Sequence, residues 1–176
     1  MTRQPISIDA FSVRPHRLWA EQWMLLTAGD FGKQEFNTMT VAWGSFGTMW
    51  HKPMAQVVVR PGRYTYEFTE SFDSFTLCAF PEQYRRALTL LGTKSGRDGD
   101  KIAEAGLTPV AASAVAAPAF DEAELIIECR KLYRQIMDPA GFLDAEIESN
   151  YPQKDYHTIY FGEIVAVEGV ERFGTS

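Results

Sequence analysis

Asn37-Thr38-Met39-Thr40-Val41-Ala42-Trp43-Gly44-Ser45 is the stretch around which the rest of the chain can be arranged. Its β-branched and apolar residues predict a strand over about 36–44, and β-propensity alone accounts for Thr38 and Thr40. It does not account for Asn37. Gly44, directly after Trp43, removes a side chain and lets a flat ring approach the backbone of residues 41–45. Two more stretches have a related character: Val57-Val58-Val59-Arg60-Pro61-Gly62-Arg63-Tyr64-Thr65 and Ser95-Gly96-Arg97-Asp98-Gly99-Asp100-Lys101. Each of the three offers hydroxyls, an amide or fixed cations where a phosphate could be held. The first two also carry apolar and aromatic surface for a planar ring system. None is persuasive alone.

Outward from this core, alternation and β-branched content predict strands at about 22–28, 36–44, 54–60, 74–80, 124–134 and 156–168, six in all, which suits a barrel or sandwich. Residues 124–134 are rich in helix formers, but Leu125, Ile127, Cys129 and Lys131 alternate as a strand does. A helix follows Pro81, with Tyr84, Leu88 and Leu91 on one face and a stop at Gly92. A second short helix runs from Gly99 or Asp100 to Ala105, with Asp98 as N-cap and Gly106 ending it. Thr65 is placed to cap a third over Tyr66–Glu70, so two helix N-termini offer free amides to anions. Asp30-Phe31-Gly32 reads as a hairpin turn, and Pro109 to Pro118 as an extended surface connection.

The 176 residues form an expected single domain spanning 1–176. A net charge of −6 and a pI near 5.1 argue against nucleic acid, whose binding rests on neutralising phosphates. No apolar run approaches the ~20 residues that span a bilayer, and the polar start Met1-Thr2-Arg3-Gln4-Pro5 lacks the core of a signal peptide, so a cytoplasmic location without a membrane partner is expected. Cys78 and Cys129 lie in apolar, β-like runs and are expected as buried free thiols. G-x-G-x-x-G, G-x-x-x-x-G-K-[ST] and G-x-S-x-G are absent, which disfavours Rossmann, P-loop and α/β-hydrolase chemistry. His16, His51 and His157 are far apart, with no zinc-like spacing nearby, so no metal site is expected.

The order and spacing of the three stretches resemble the flavin reductase-like FMN-binding split-barrel family, especially its flavoredoxin-like members, over roughly residues 10–170. In that family an N-x-M-T strand, an R-P-x-R-Y-[ST] segment and an S-G-x-x-x-x-K loop surround FMN. The resemblance therefore implies cofactor contacts from Asn37, Thr38, Met39 and Thr40, backbone contacts from Val41, Ala42, Trp43, Gly44 and Ser45, and further contacts from Arg60, Arg63, Tyr64, Thr65, Ser95, Gly96 and Lys101. His157, in Asp155-Tyr156-His157-Thr158-Ile159-Tyr160-Phe161-Gly162-Glu163, resembles the family's late D-H-x-x-x-x-G-E strand near the ring, with Tyr156 inserted after the acid. The implied fold is mainly β: a six-stranded antiparallel Greek-key split β-barrel with a few short flanking helices.

FMN joins a dianionic phosphate to a flat, amphipathic tricycle, and the residues suit both ends. Lys94, Arg97 and Lys101 fall within eight residues of an acidic chain, and charge-assisted hydrogen bonds are worth roughly 1.5–3 kcal/mol each. Lys101 is the first choice for the phosphate. The bland alternatives are a solvated basic face balanced by Asp98 and Asp100, Thr65 as a mere N-cap, Tyr64 as a packed aromatic and Thr40 as a structural threonine. Phe46 to Pro53, with Trp50 and His51, departs from the commoner S-F-x-P-P pattern, so the resemblance carries over least to the second-substrate pocket. The resemblance implies an FMN-dependent oxidoreductase with NAD(P)H as co-substrate and no catalytic side chain, working as a homodimer with FMN near the subunit interface. The alternatives are an electron carrier reduced by a partner protein and a barrel that binds an apolar ligand.

Overall fold

A computed structural model of the chain describes residues 2–174. In chain order the elements are β1 (Gln4–Pro5), α1 (Pro15–Arg17) running into a π-helical turn (Leu18–Gln22), β2 (Met24–Asp30), β3 (Glu35–Val41), β4 (Gly44–Met49), β5 (Lys52–Val59), α2 (Tyr64–Ser71), β6 (Ser74–Ala79), α3 (Arg85–Thr93), α4 (Lys101–Glu104), β7 (Pro109–Val110), β8 (Ala119–Phe120), β9 (Leu125–Ile136) and β10 (Thr158–Gly169). One antiparallel sheet holds the order β3-β2-β6-β9-β10-β5-β4, with β1 added on β10, while β7 and β8 pair separately. β3 and β4 are the two ends of that order, yet only Ala42 and Trp43 separate them in the chain. The sheet must therefore curl until its edges meet. Among the described residues no ladder joins those edges, so the barrel is split along the Ala42-Trp43 connection.

Period-2 alternation sorts the apolar residues between two faces. Leu26, Ala28, Met39, Val57, Val59, Phe75, Leu77, Ile127, Cys129 and Tyr160 fill the interior. Leu25, Cys78 and Ile126 point the other way and pack with Leu88, Leu91, Ile102, Leu107 and Phe120, which holds α3 and α4 against the outside of the sheet. Gly162 permits close packing across the interior, since a Cβ there would lie 2.6 Å from the Phe75 ring. The cysteines are free and buried, and burial pushes the Cys78 thiol up to about 12.

Several expectations change in detail. The strand expected to 44 ends at Val41, and a seventh strand on the main path, β4, replaces its last residue and extends to Met49. α2 begins at Tyr64 with Arg63 at its N-cap, so Thr65 is not the cap. Asp100, not Asp98, caps α4, accepting a hydrogen bond from Ala103 N (3.1 Å). α3 runs through Gly92 to Thr93 before the chain turns extended at Lys94. Residues 125–136 are strand, and Asp30 to Gln34 form the β2–β3 turn, with Lys33 N donating to Asp30 Oδ1 (3.2 Å). The connection after Pro109 is held in place by Glu128, whose buried carboxylate accepts from Ser113 N (2.9 Å), Ser113 Oγ (2.7 Å) and Ala114 N (2.6 Å).

Candidate functional site

All three stretches converge at one side of β3. Asn37 is buried and its Nδ2 donates to the equally buried Thr65 Oγ1 (2.7 Å), which ties the first stretch to the second. That bond explains why Thr65 sits inside α2 without capping it. Gly96 completes the junction: a Cβ there would lie 2.4 Å from Asn37 Oδ1 and 2.9 Å from Tyr64 Cδ1, so only glycine lets the third stretch lie against the other two. Ser95 Oγ accepts from Arg97 N (3.2 Å) and shapes the loop.

Lys101 is 4% exposed, and its Nζ donates to Leu91 O (3.2 Å) and Lys94 O (3.1 Å) at the C-terminal end of α3. Burial first, and the Arg63 charge second, push its pKa down to about 8. An ammonium has three N–H donors and two are used, so one donor and an undercompensated charge remain for an anion. The solvated-face alternative fails for Lys101, which is buried. It holds for the other two cations, but with different partners from those expected: Lys94 pairs with Glu104, and Arg97 pairs with Glu67 while stacking 4.7 Å from the Tyr64 ring centroid. A groove of about 350 Å³ follows this end, lined by Phe36, Asn37, Tyr64, Gly96 and Lys101 among others.

Further along β3 a second recess, of about 190 Å³, is lined by Met39, Thr40, Val41, Ala42, Trp43, Val58, Arg60, Arg63 and His157. Trp43 is 49% exposed and is no core anchor; its ring lies 5.3 Å from that of His157, tilted by 49°. His157 is buried, and that burial, followed by the nearby Arg60 charge, pushes its pKa down to about 4 against the weaker pull of Asp155. Its Nδ1 lies 2.8 Å from the Tyr151 hydroxyl. Arg60 is held from several sides: Nη1 donates to Asp155 Oδ2 (3.1 Å), Nη2 donates to Asn150 O (2.7 Å), and the guanidinium lies 5.0 Å from the Tyr151 ring centroid. Among the described residues the Arg63 guanidinium makes one hydrogen bond, from Nη1 to Gly92 O (2.9 Å), and keeps its other N–H donors open. Ser45 Oγ donates to Gln56 Oε1 (3.2 Å) across the β4–β5 pair, and a Cβ on Gly44 would strike the Trp19 ring at 2.4 Å.

Two threonines of the first stretch are engaged internally. Thr38 is fully buried, accepts from Thr27 Oγ1 (2.9 Å) and donates to Leu26 O (3.1 Å), so its hydroxyl faces the core. Thr40 Oγ1 donates to Leu88 O of α3. A larger cavity, about 800 Å³, lies elsewhere, between residues 12–22, the start of α3 and Arg172, and contains no residue of the three stretches. Three of its four arginines are already paired: Arg17 with Glu21, Arg85 with Glu82 and Arg172 with Glu124.

The sequence model described as "Flavin reductase like domain" matches residues 17–175. The chain belongs to this family. Its fold is shared with a flavoredoxin of Desulfovibrio vulgaris (Miyazaki F), 24% identical over 92% of this chain and 75% of that one, with a TM-score of 0.66. It is shared equally with an FMN-binding domain of a flavin reductase-like enzyme from Shewanella baltica OS155 (17% identity, 96% and 77% covered, TM-score 0.68). An NADH:FAD oxidoreductase of Streptomyces globisporus is similar too (15% identity, 83% and 73% covered, TM-score 0.63). No curated protein sequence matches the chain.

A flavin reductase-like fold raises the question of whether these residues fit FMN, and the donor set does. A buried, incompletely satisfied lysine with a second cation nearby suits a phosphate, and a half-exposed indole beside residues 39–42 suits a planar ring. Asn37, Tyr64, Gly96 and Lys101 line one recess, and Met39 to Trp43 with Arg60, Arg63 and His157 line the next. Thr38, Thr65, Gly44, Ser45 and Ser95 line neither; Thr38 and Thr65 support the lining strand and helix from behind, and Ser95 shapes the loop that carries Gly96. Tyr151 and Asp155 stand among the contributors that the sequence reading did not assign: Tyr151 carries no motif, and Asp155, set apart from His157 by the inserted Tyr156, forms the ion pair with Arg60.

Proposed function

We propose that the protein is an FMN-binding oxidoreductase in which NAD(P)H is the electron donor. The observation that carries this reading is the Asn37–Thr65–Gly96–Lys101 junction, where three separate stretches meet beside an incompletely satisfied buried cation. Bound FMN would supply the hydride and electron transfer. The chain's own residues have other tasks: Lys101 and the neighbouring amides hold the phosphate, Arg63 and Arg60 place positive charge at the ring recess, and Trp43 and His157 form its wall. No side chain needs to act as nucleophile. The names of the structural neighbours, one an FMN-binding domain and one an NADH:FAD oxidoreductase, favour the same chemistry.

The likeness to a flavoredoxin favours a second reading, an electron carrier that a partner protein reduces. Anaerobic stopped-flow mixing of flavin-loaded protein with NADH and with NADPH separates the two. Bleaching of the flavin bands by either nicotinamide is the result expected. Bleaching by dithionite alone would assign the carrier role.

We further propose a cytoplasmic homodimer in which the 176-residue chain acts as one domain. Support for the dimer comes from the exposed apolar side chains of Trp43, Met49, Trp50, Tyr133 and Ile136. Trp50 and His51 turn the β4–β5 hairpin with φ of 54° and 60°, and Trp50 lies edge-on to Tyr133 and Phe161, each at 6.1 Å. Bulky residues at positive φ are strained, and such strain clusters at functional surfaces. Among the described residues no helix is long and apolar enough to cross a membrane.

A further inference from the structure

The loop between β9 and β10 lies outside the three stretches, yet it places an aromatic cluster behind the ring recess. Tyr151 is 3% exposed; its ring stacks on Phe142 (5.9 Å, 13°), touches Tyr156 (5.0 Å) and meets His157 edge-on (5.5 Å, 80°). Its hydroxyl lies 2.8 Å from His157 Nδ1 and 3.5 Å from Met137 Sδ. A phenol has one proton to donate. Burial raises the Tyr151 pKa, so the phenol stays protonated at neutral pH, while burial and the Arg60 charge keep the His157 imidazole neutral. A neutral imidazole has one donor and one acceptor nitrogen, and its lone pair accepts far better than a thioether. The phenolic proton therefore goes to Nδ1, and the ring proton sits on Nε2.

His157 Nε2 has no hydrogen-bond partner among the described residues, and it is not among their buried unpartnered atoms, so it retains access to solvent. His157 also lines the recess beside Trp43. We propose that Tyr151 is a positioning residue that locks His157 as the neutral Nε2–H tautomer, so that the recess presents a fixed donor to a carbonyl or imide oxygen of its planar ligand. The identity of that ligand rests on the flavin reading above; the tautomer does not. Which ring nitrogen carries the proton is set by the bond made by the other, and a pre-set donor avoids the cost of fixing it on binding.

The test is long-range ¹H–¹⁵N correlation spectroscopy of the imidazole nitrogens at pH 7, on flavin-free protein, with the His157 signals assigned by their loss in His157→Asn. The expected wild-type spectrum has a protonated Nε2 and an unprotonated Nδ1, and Tyr151→Phe mixes the tautomers. A wild-type Nδ1–H tautomer, or unchanged populations in Tyr151→Phe, would overturn the proposal. Should Tyr151→Phe fail to fold, the wild-type spectrum still decides. FMN titration then reads the consequence: one neutral hydrogen bond corresponds to a dissociation constant about 3- to 10-fold weaker in Tyr151→Phe. A wild-type protein that shows Nε2–H but binds no FMN refutes the flavin reading and leaves the tautomer assignment standing.

Discussion

The two ends of the site are built in opposite ways. At the Asn37–Lys101 end the polar side chains are buried and already bonded to one another or to backbone: Asn37 to Thr65, and Lys101 to the carbonyls of Leu91 and Lys94. At the Trp43–His157 end an indole stands half exposed, and among the described residues the Arg63 guanidinium has spare donors and Nε2 of His157 has no partner. One end is part of the fold, and the other is a surface for ligands to use. Variants at the first should therefore cost stability and affinity together, whereas variants at the exposed part of the second should cost affinity alone.

The sharpest break of this contrast is Lys101→Ala. It strips two carbonyls of a charged donor in a buried place, so thermal or urea unfolding should show a loss of about 3 kcal/mol, and FMN affinity measured by flavin fluorescence quenching should fall about tenfold or more. Had Lys101 been exposed, as in the solvated-face alternative, the stability loss would be small.

The second effect is on pH dependence, and it comes from the buried imidazole of His157 at the open end. His157 has a folded pKa near 4 against an ordinary 6.5, so between those values the unfolded chain binds the extra proton. Stability should accordingly be full above about pH 6.5 and should drop by about 2–3 kcal/mol as the pH falls to 4. His157→Gln should flatten that acid limb in pH-dependent urea melts, and an unchanged limb would remove His157 as its cause.

Gly96→Ala comes next. The added methyl would overlap Asn37 Oδ1 and the Tyr64 ring, at a cost of about 1–3 kcal/mol, with FMN binding weakened in parallel. The smallest stability effect belongs to Trp43→Ala, within about 0.5 kcal/mol of wild type, while FMN affinity should fall about 3- to 10-fold from lost aromatic contact. A large Tm drop in Trp43→Ala would contradict the separation of the two ends.

The same contrast explains what could be read in the sequence. Alternation at Leu125, Ile127 and Cys129 identified β9 despite its helix formers, because those side chains face a core that only a period of two can fill. β4 was missed because Gly44-Ser45-Phe46-Gly47-Thr48-Met49 holds two glycines and little buried surface, so local composition says nothing of its pairing with β5. Thr65 and Asp98 were assigned to caps on local chemistry. Tertiary partners decided otherwise: Asn37 takes the Thr65 hydroxyl, and Asp100 bonds Ala103 N. Tyr151 and the role of Asp155 were hidden for the same reason, since their partners His157 and Arg60 are recognised only once β5 and the β9–β10 loop are side by side.

The central claim is that a preformed phosphate end and an open ring end make one flavin site, and it is tested most directly by comparing FMN with riboflavin, which has the ring but lacks the phosphate. In equilibrium fluorescence titrations FMN should bind about 100-fold tighter than riboflavin, the equivalent of one or two charge-assisted hydrogen bonds, and Lys101→Ala should remove most of that difference. Equal affinities for the two, or no binding of either, would contradict the account.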